Sequence, residues 1–117
     1  FFVSPSQAAN LISNVPSNLT DAGETIATVL RHAIENDITE VEVTEEAEEA
    51  WVQDLLANGR RFGNDPSCTP GYYNNEGQPR DDRALLDFVG YAHGPVAYFQ
   101  YIDQWRKNGE FAGLEFR

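Results

Sequence analysis

Residues 4–21 read SPSQAANLISNVPSNLTD, and the way this stretch changes character decides how the chain folds. Up to Pro16 its apolar residues follow neither the period of two of a strand nor the 3.6-residue period of a helix. Ser17, Asn18, Thr20 and Asp21 then offer helix caps. Beyond them Ile26, Val29, Leu30, Ala33 and Ile34 recur at helical spacing, which predicts a first helix that starts between Ser17 and Asp21 and ends about Asn36 or Asp37. A small, amide-rich, irregular approach to a helix start suits a backbone that must come close to something else.

The rest of the chain alternates in the same manner. ITEVEVT, residues 38–44, alternates around Val41 and Val43 and reads as a short half-exposed strand. Thr44 caps a second helix with Glu45, Glu46, Glu48 and Glu49 near its positive end, an apolar set of Ala47, Trp51, Val52 and Leu55, and an Asn58-Gly59 stop. From Arg60 to Arg83 the residues Gly, Pro, Asn and Asp dominate, which predicts a long irregular loop. Leu85–Tyr91 has strand character. A third helix follows, with Pro95 in its first turn, a stripe of Val96, Phe99, Ile102 and Trp105, and an Asn108-Gly109 stop. Residues 113–116 read as a closing strand. The fold class expected is α/β, about three helices with short strands and long loops, with no internal domain boundary in residues 1–117.

Eight Lys and Arg stand against nineteen Asp and Glu in 117 residues, a formal charge of -11. Such a chain repels phosphate backbones and anionic lipid surfaces, so neither nucleic acid nor a membrane is an expected partner. No apolar run approaches the roughly 20 residues of a membrane span. The single Cys68 cannot form an internal disulfide, and a cytoplasmic setting is expected. The chain opens on FFV, which reads as a strand already under way, and it contains no Met. A piece of a longer protein is the expectation.

Few residues stand out as catalytic. Four glutamates in five residues spread around a helix start and do not converge on a metal. His32 falls beside the apolar stripe of the first helix with no Cys or His at ligand spacing, so it reads as structural. His93, in the YAHGP turn, reads as a residue that hydrogen-bonds the turn, and Cys68, Trp51 and Trp105 read as packing residues. Neither a glycine-rich dinucleotide loop, nor a phosphate-binding loop, nor a serine nucleophile elbow is present. No catalytic residue and no metal ligand is assigned.

Three blocks in order, FFVSPSQAANLISNVPSNLTD, CTPGYYNNEGQP and FVGYAHGPVAYFQYIDQWRKNGEFAGLEF, resemble the C-terminal end of a Baeyer–Villiger monooxygenase. The resemblance covers essentially the whole chain. It implies the C-terminal part of a Rossmann-like FAD-binding domain in an FAD- and NADPH-dependent enzyme that inserts one oxygen atom of O2 beside a ketone carbonyl. It further implies that Ser13, Asn14 and Val15 face the flavin ring, and that Gln7, Ala8, Ala9, Asn10 and Leu11 form a bulged wall of the ketone pocket. The alternative is that Ala8, Ala9, Leu11 and Ile12 pack under a loop. CTPGYYNNEGQP matches a loop that in relatives folds over cofactor and substrate and often carries a tryptophan. None stands here, so Tyr72 or Tyr73 either takes its place or anchors the loop.

On this resemblance both cofactors, FAD and NADPH, need the remainder of the parent chain, which is itself the expected partner, and the isolated piece is inactive. The rival readings are an N-hydroxylating or sulfoxidising flavin monooxygenase, and a stand-alone acidic binding module.

Overall fold

A computed structural model of the protein describes residues 14–61, 67–78 and 89–117. Helix α1, Val15–Glu35, begins two residues ahead of the Ser17–Asp21 window because Asn14 takes the cap. Asn14 is extended, and its Oδ1 accepts the Ser17 N–H at 3.2 Å. Pro16 fits the first turn, where a missing N–H leaves no helical bond unmade. At the other end the Asn36 amide donates to the His32 carbonyl at 2.8 Å.

Strand β1, Val41–Val43, pairs antiparallel with β4, Leu114–Phe116, so that Val41 faces Phe116 and Val43 faces Leu114. Between them lies α2, Glu45–Asn58, started by Thr44, whose hydroxyl accepts the Ala47 N–H at 3.2 Å. Strand β2, Arg60–Arg61, pairs antiparallel with β3, Val89–Gly90. Helix α3 spans Pro95–Asn108 and stops where Gly109 turns left-handed at φ 68°. Both described strand pairs are antiparallel. The parallel sheet of a doubly wound domain is therefore not found among the described residues.

Two differences from the sequence reading have plain causes. The expected loop 60–83 carries β2 at its start and a 3-10 turn, Tyr72–Gly77. Of the stripe on α1, Val29 and Ala33 are buried, yet Leu30 is 44% and Ile34 76% exposed. Side chains advance by roughly 100° per residue, so Leu30 and Ile34 sit on a flank that the described neighbours do not reach. Val96 on α3 is likewise exposed, and no residue of α3 is buried.

The packed centre gathers on Phe111, which is buried beside His32 at 4.7 Å, Trp105 at 5.4 Å and Phe116 at 5.6 Å between ring centroids. Phe111 holds φ 48°, a region costing a bulky residue on the order of 1–3 kcal/mol, and these rings hold it there. A second contact joins Leu55, Gly59 and Val89, with Leu55 and Val89 almost wholly buried.

With so little apolar burial on α3, its crossing with α1 depends on charge. The Arg106 guanidinium, 11% exposed, reaches the Asp21 carboxylate at 2.8 Å, the Asp21 carbonyl at 3.1 Å and the Thr25 hydroxyl at 2.8 Å. Glu24 and Asp103 stand further out, at 3.8 and 3.7 Å. Tyr98, half-buried on the same helix, has its phenol pushed up to about 12 by burial first and by the Asp21 charge second.

Three outcomes are expected. Gly59→Ala puts a Cβ into Val89 Cγ1 and the Leu55 carbonyl, so urea unfolding should show a loss of about 1–3 kcal/mol. Gly23→Ala, in open space on α1, should gain about 0.5–1 kcal/mol. Arg106→Ala leaves the Asp21 carboxylate without its partner and should cost about 3 kcal/mol by the same measurement.

A fourth outcome concerns pH. An unfolded tyrosine ionises near pH 10, whereas folded Tyr98 keeps its proton to about 12. The unfolded state therefore loses a proton first, and stability that is complete below pH 10 falls as pH rises through 12, by on the order of 2 kcal/mol. Tyr98→Phe should flatten that decline in base-titrated urea melts, and an unchanged slope would assign the decline to other groups.

Candidate functional site

The residues expected to line a site divide into those the structure describes and those it does not. Ser13 and the segment Gln7, Ala8, Ala9, Asn10 and Leu11 lie outside the described residues. Asn14 and Val15 fall at the cap and the first residue of α1. Tyr72 and Tyr73 open the 3-10 turn, and their side chains lie outside the description.

At the start of α1 the backbone donors can be followed one by one. The Ser17 N–H is taken by the Asn14 side chain, the Asn18 N–H by the Asn14 carbonyl at 3.1 Å, and Pro16 has none. That leaves the Val15 N–H, on a residue 49% exposed, as the first-turn donor that the described residues do not engage. The first turn of this 21-residue helix contains no acidic residue, whereas α2 carries Glu45, Glu46 and Glu48 there. In a chain of charge -11 the positive end of α1 is thus left uncompensated by its own side chains. Such an end favours an anion.

Residues 67–78 owe their shape to one side chain that sequence reading missed. Asn74 accepts the Gly71 N–H at 2.7 Å through its Oδ1 and donates through Nδ2 to the Thr69 carbonyl at 3.0 Å. A short amide near the end of CTPGYYNN is suited to this, because it offers an acceptor and two donors to neighbouring backbone. Asn75, Glu76 and Gly77 follow in the left-handed region at φ 55°, 53° and 77°. Tyr72 and Tyr73 therefore stand on a turn fixed from within. Cys68, expected to pack, is exposed.

The other singled-out residues take structural places. His32 packs tilted against Phe111 and edge-on to Phe116. His93 is exposed and lies edge-on to Tyr91 at 5.6 Å, an aromatic contact in place of the hydrogen bond expected of it. Trp51 stacks on Tyr91 at 5.8 Å, and the Trp105 indole N–H donates to the Ala112 carbonyl at 3.0 Å. Both tryptophans are half-buried, and together with Tyr98 and Tyr101 they line an open cleft of about 310 Å³ between α2, α3 and the β1–β4 ribbon. Among the described residues no group of three or more His, Cys, Asp or Glu is placed to hold a metal, and no helix is long and apolar enough to cross a membrane.

The chain is 32% identical over 116 residues to an FAD-binding monooxygenase of Hypomyces subiculosus, a match covering 98% of this chain and 19% of that protein. It is 34% identical over 119 residues to neopentalenolactone D synthase of Streptomyces avermitilis, covering all of this chain and 19% of the relative. Baeyer-Villiger monooxygenase 4 of a Dietzia species is 33% identical over 96 residues, 77% of this chain and 14% of the relative. No family model matches the chain, and no solved structure matches it. The chain spans about a fifth of the length of the curated relatives it matches most fully, and those named for a cofactor are FAD-binding monooxygenases.

Proposed function

We propose that these residues are the C-terminal portion of a Rossmann-like FAD-binding domain in an FAD- and NADPH-dependent Baeyer–Villiger monooxygenase, and that the start of α1 forms one wall of its flavin site. The observation that carries this reading is the match of nearly the whole chain, at 32% and 30% identity, to proteins named FAD-binding monooxygenases. The site chemistry is compatible with it. A flavin ring gathers negative charge toward its pyrimidine edge on reduction, and the Val15 N–H at an acid-free helix start is suited to that edge.

FAD, when bound, supplies the redox and oxygen-transfer chemistry. The chain's own residues orient and polarise. Asn14 fixes the first turn by holding Ser17, which keeps the Val15 N–H in place. On the resemblance, Ser13 joins it at the ring, Gln7–Leu11 shape the ketone pocket, and Tyr72 and Tyr73 ride the Asn74-centred turn over it. One relative is named for a lactone, and a lactone is what oxygen insertion beside a cyclic ketone yields. That favours ketone oxygenation over N-hydroxylation or sulfoxidation.

The intact protein carrying these residues should purify with FAD, oxidise NADPH, and place one oxygen atom from labelled O2 into an ester or lactone made from a ketone, as read by mass spectrometry. Turnover of amines or sulfides alone would contradict the ketone assignment. Val15→Pro removes the free N–H at a position where proline suits a helix. It should retain FAD while slowing turnover about tenfold or more, and wild-type rates in that variant would remove Val15 from the site.

A further inference from the structure

Arg106 lies 91 residues from Val15 in sequence (106 − 15), yet it touches α1 only two turns from the helix start. Its bonds to Asp21 and Thr25 differ in kind from the apolar contacts nearby. A guanidinium presents donors in a rigid planar fork, and here one nitrogen is shared among the Asp21 carboxylate, the Asp21 carbonyl and the Thr25 hydroxyl. The Thr25 hydroxyl donates to that same Asp21 carbonyl at 2.9 Å, so one backbone oxygen joins the two contacts. Apolar contact is non-directional and tolerates sliding of one helix along another. A set of short bonds to a carbonyl and two side chains of the same turn does not.

No residue of α3 is fully buried, and Val96 is largely and Tyr101 nearly half exposed, so the directional contact carries much of the tie between the two helices. Asp21 is six residues from Val15, about 9 Å along a helix of 1.5 Å rise per residue. A helix transmits a displacement over that distance nearly as a rigid rod. Misplacing a group by 1 Å near a reacting centre is enough to cost about 100-fold in rate.

We infer that Arg106 is a positioning residue for the flavin edge: by clamping Asp21 and Thr25 to α3 it sets where along its axis α1 stands, and hence where the Val15 N–H meets the ring. This rests on the reading of α1 as a flavin wall. Arg106 touches neither substrate nor cofactor in this account and acts through α1 alone.

The test uses the intact protein and the variant Arg106→Lys, which keeps a charge for the Asp21 carboxylate but whose shorter side chain does not bring a donor to the place of the one nitrogen that meets Asp21 and Thr25. Three things are measured: thermal midpoint with FAD content, hydrogen exchange of the peptide covering residues 14–20 without FAD, and the flavin reduction potential. The inference expects near-wild-type midpoint and FAD content, exchange in residues 14–20 faster by about tenfold, and a more negative potential, because a displaced N–H stabilises the reduced anion less. A kcat that falls at unchanged ketone KM accompanies these. Unchanged exchange and potential in a folded, FAD-loaded Arg106→Lys protein would reduce the clamp to a structural tie and overturn the inference. Loss of midpoint and FAD content along with exchange protection and potential, to the same extent in Arg106→Lys as in Arg106→Leu, would also make Arg106 a structural tie and overturn the inference. A wild-type protein that takes up no FAD would instead overturn the underlying reading, and the two failures are distinguished by FAD content alone.

Discussion

A single largely shielded guanidinium, that of Arg106, ties together the two helices on which the proposed site depends. Arg106 is one of only eight basic residues against nineteen acidic ones, and its side chain is 11% exposed between α1 and α3. Taking a charge out of water is unfavourable unless it is paired and hydrogen-bonded. Asp21 provides both a carboxylate and a carbonyl, and Thr25 adds a hydroxyl. Satisfied this way, the contact is directional where the surrounding apolar packing is thin. The surface ion pairs of Arg117 with Glu40, Glu42 and Glu115 join the β1–β4 ribbon in full solvent, where such pairs contribute little. They hold Glu40 below the usual carboxylate range through the Arg117 hydrogen bond without bearing on the helix crossing.

From this clamp the arrangement extends in two directions. Toward its N-terminus, α1 ends in Asn14 and Val15 with no acidic residue to neutralise its dipole. Toward its C-terminus, Val29 and Ala33 are buried, and His32 reaches the Phe111 cluster and through it the ribbon. The same helix therefore carries a structural end and an end suited to an anion. The flank of Leu30 and Ile34 remains exposed.

Much of this was legible from sequence because it is local. The Thr44 cap, the Asn108-Gly109 stop and the alternation around Val41 and Val43 each depend on residues within a turn or two. The start of α1 was misplaced by two residues because Ser17 competes with Asn14 as a cap. Pro16 was the signal that settles it, since a first-turn proline requires the cap to precede it. What was not legible is non-local or depends on coverage. Nothing in sequence pairs Arg106 with Asp21, 85 residues apart. The exposure of Leu30, Ile34 and Val96 follows from what fails to cover them, which periodicity does not record. Asn74 was unreadable as the centre of its turn because a Gly/Asn-rich loop has many equivalent amides. The proposed flavin site rests on resemblance, since the other residues assigned to it, Ser13 and Gln7–Leu11, lie outside the described structure.

The claim that the first N–H of α1 addresses the flavin is tested most directly by a crystal structure of the intact protein with FAD bound. The account predicts the Val15 nitrogen at about 3 Å from a pyrimidine-edge oxygen or nitrogen of the isoalloxazine ring, with the Arg106–Asp21 contact intact. A flavin whose pyrimidine edge is met by a donor from another element, with Val15 facing solvent or protein, would contradict it.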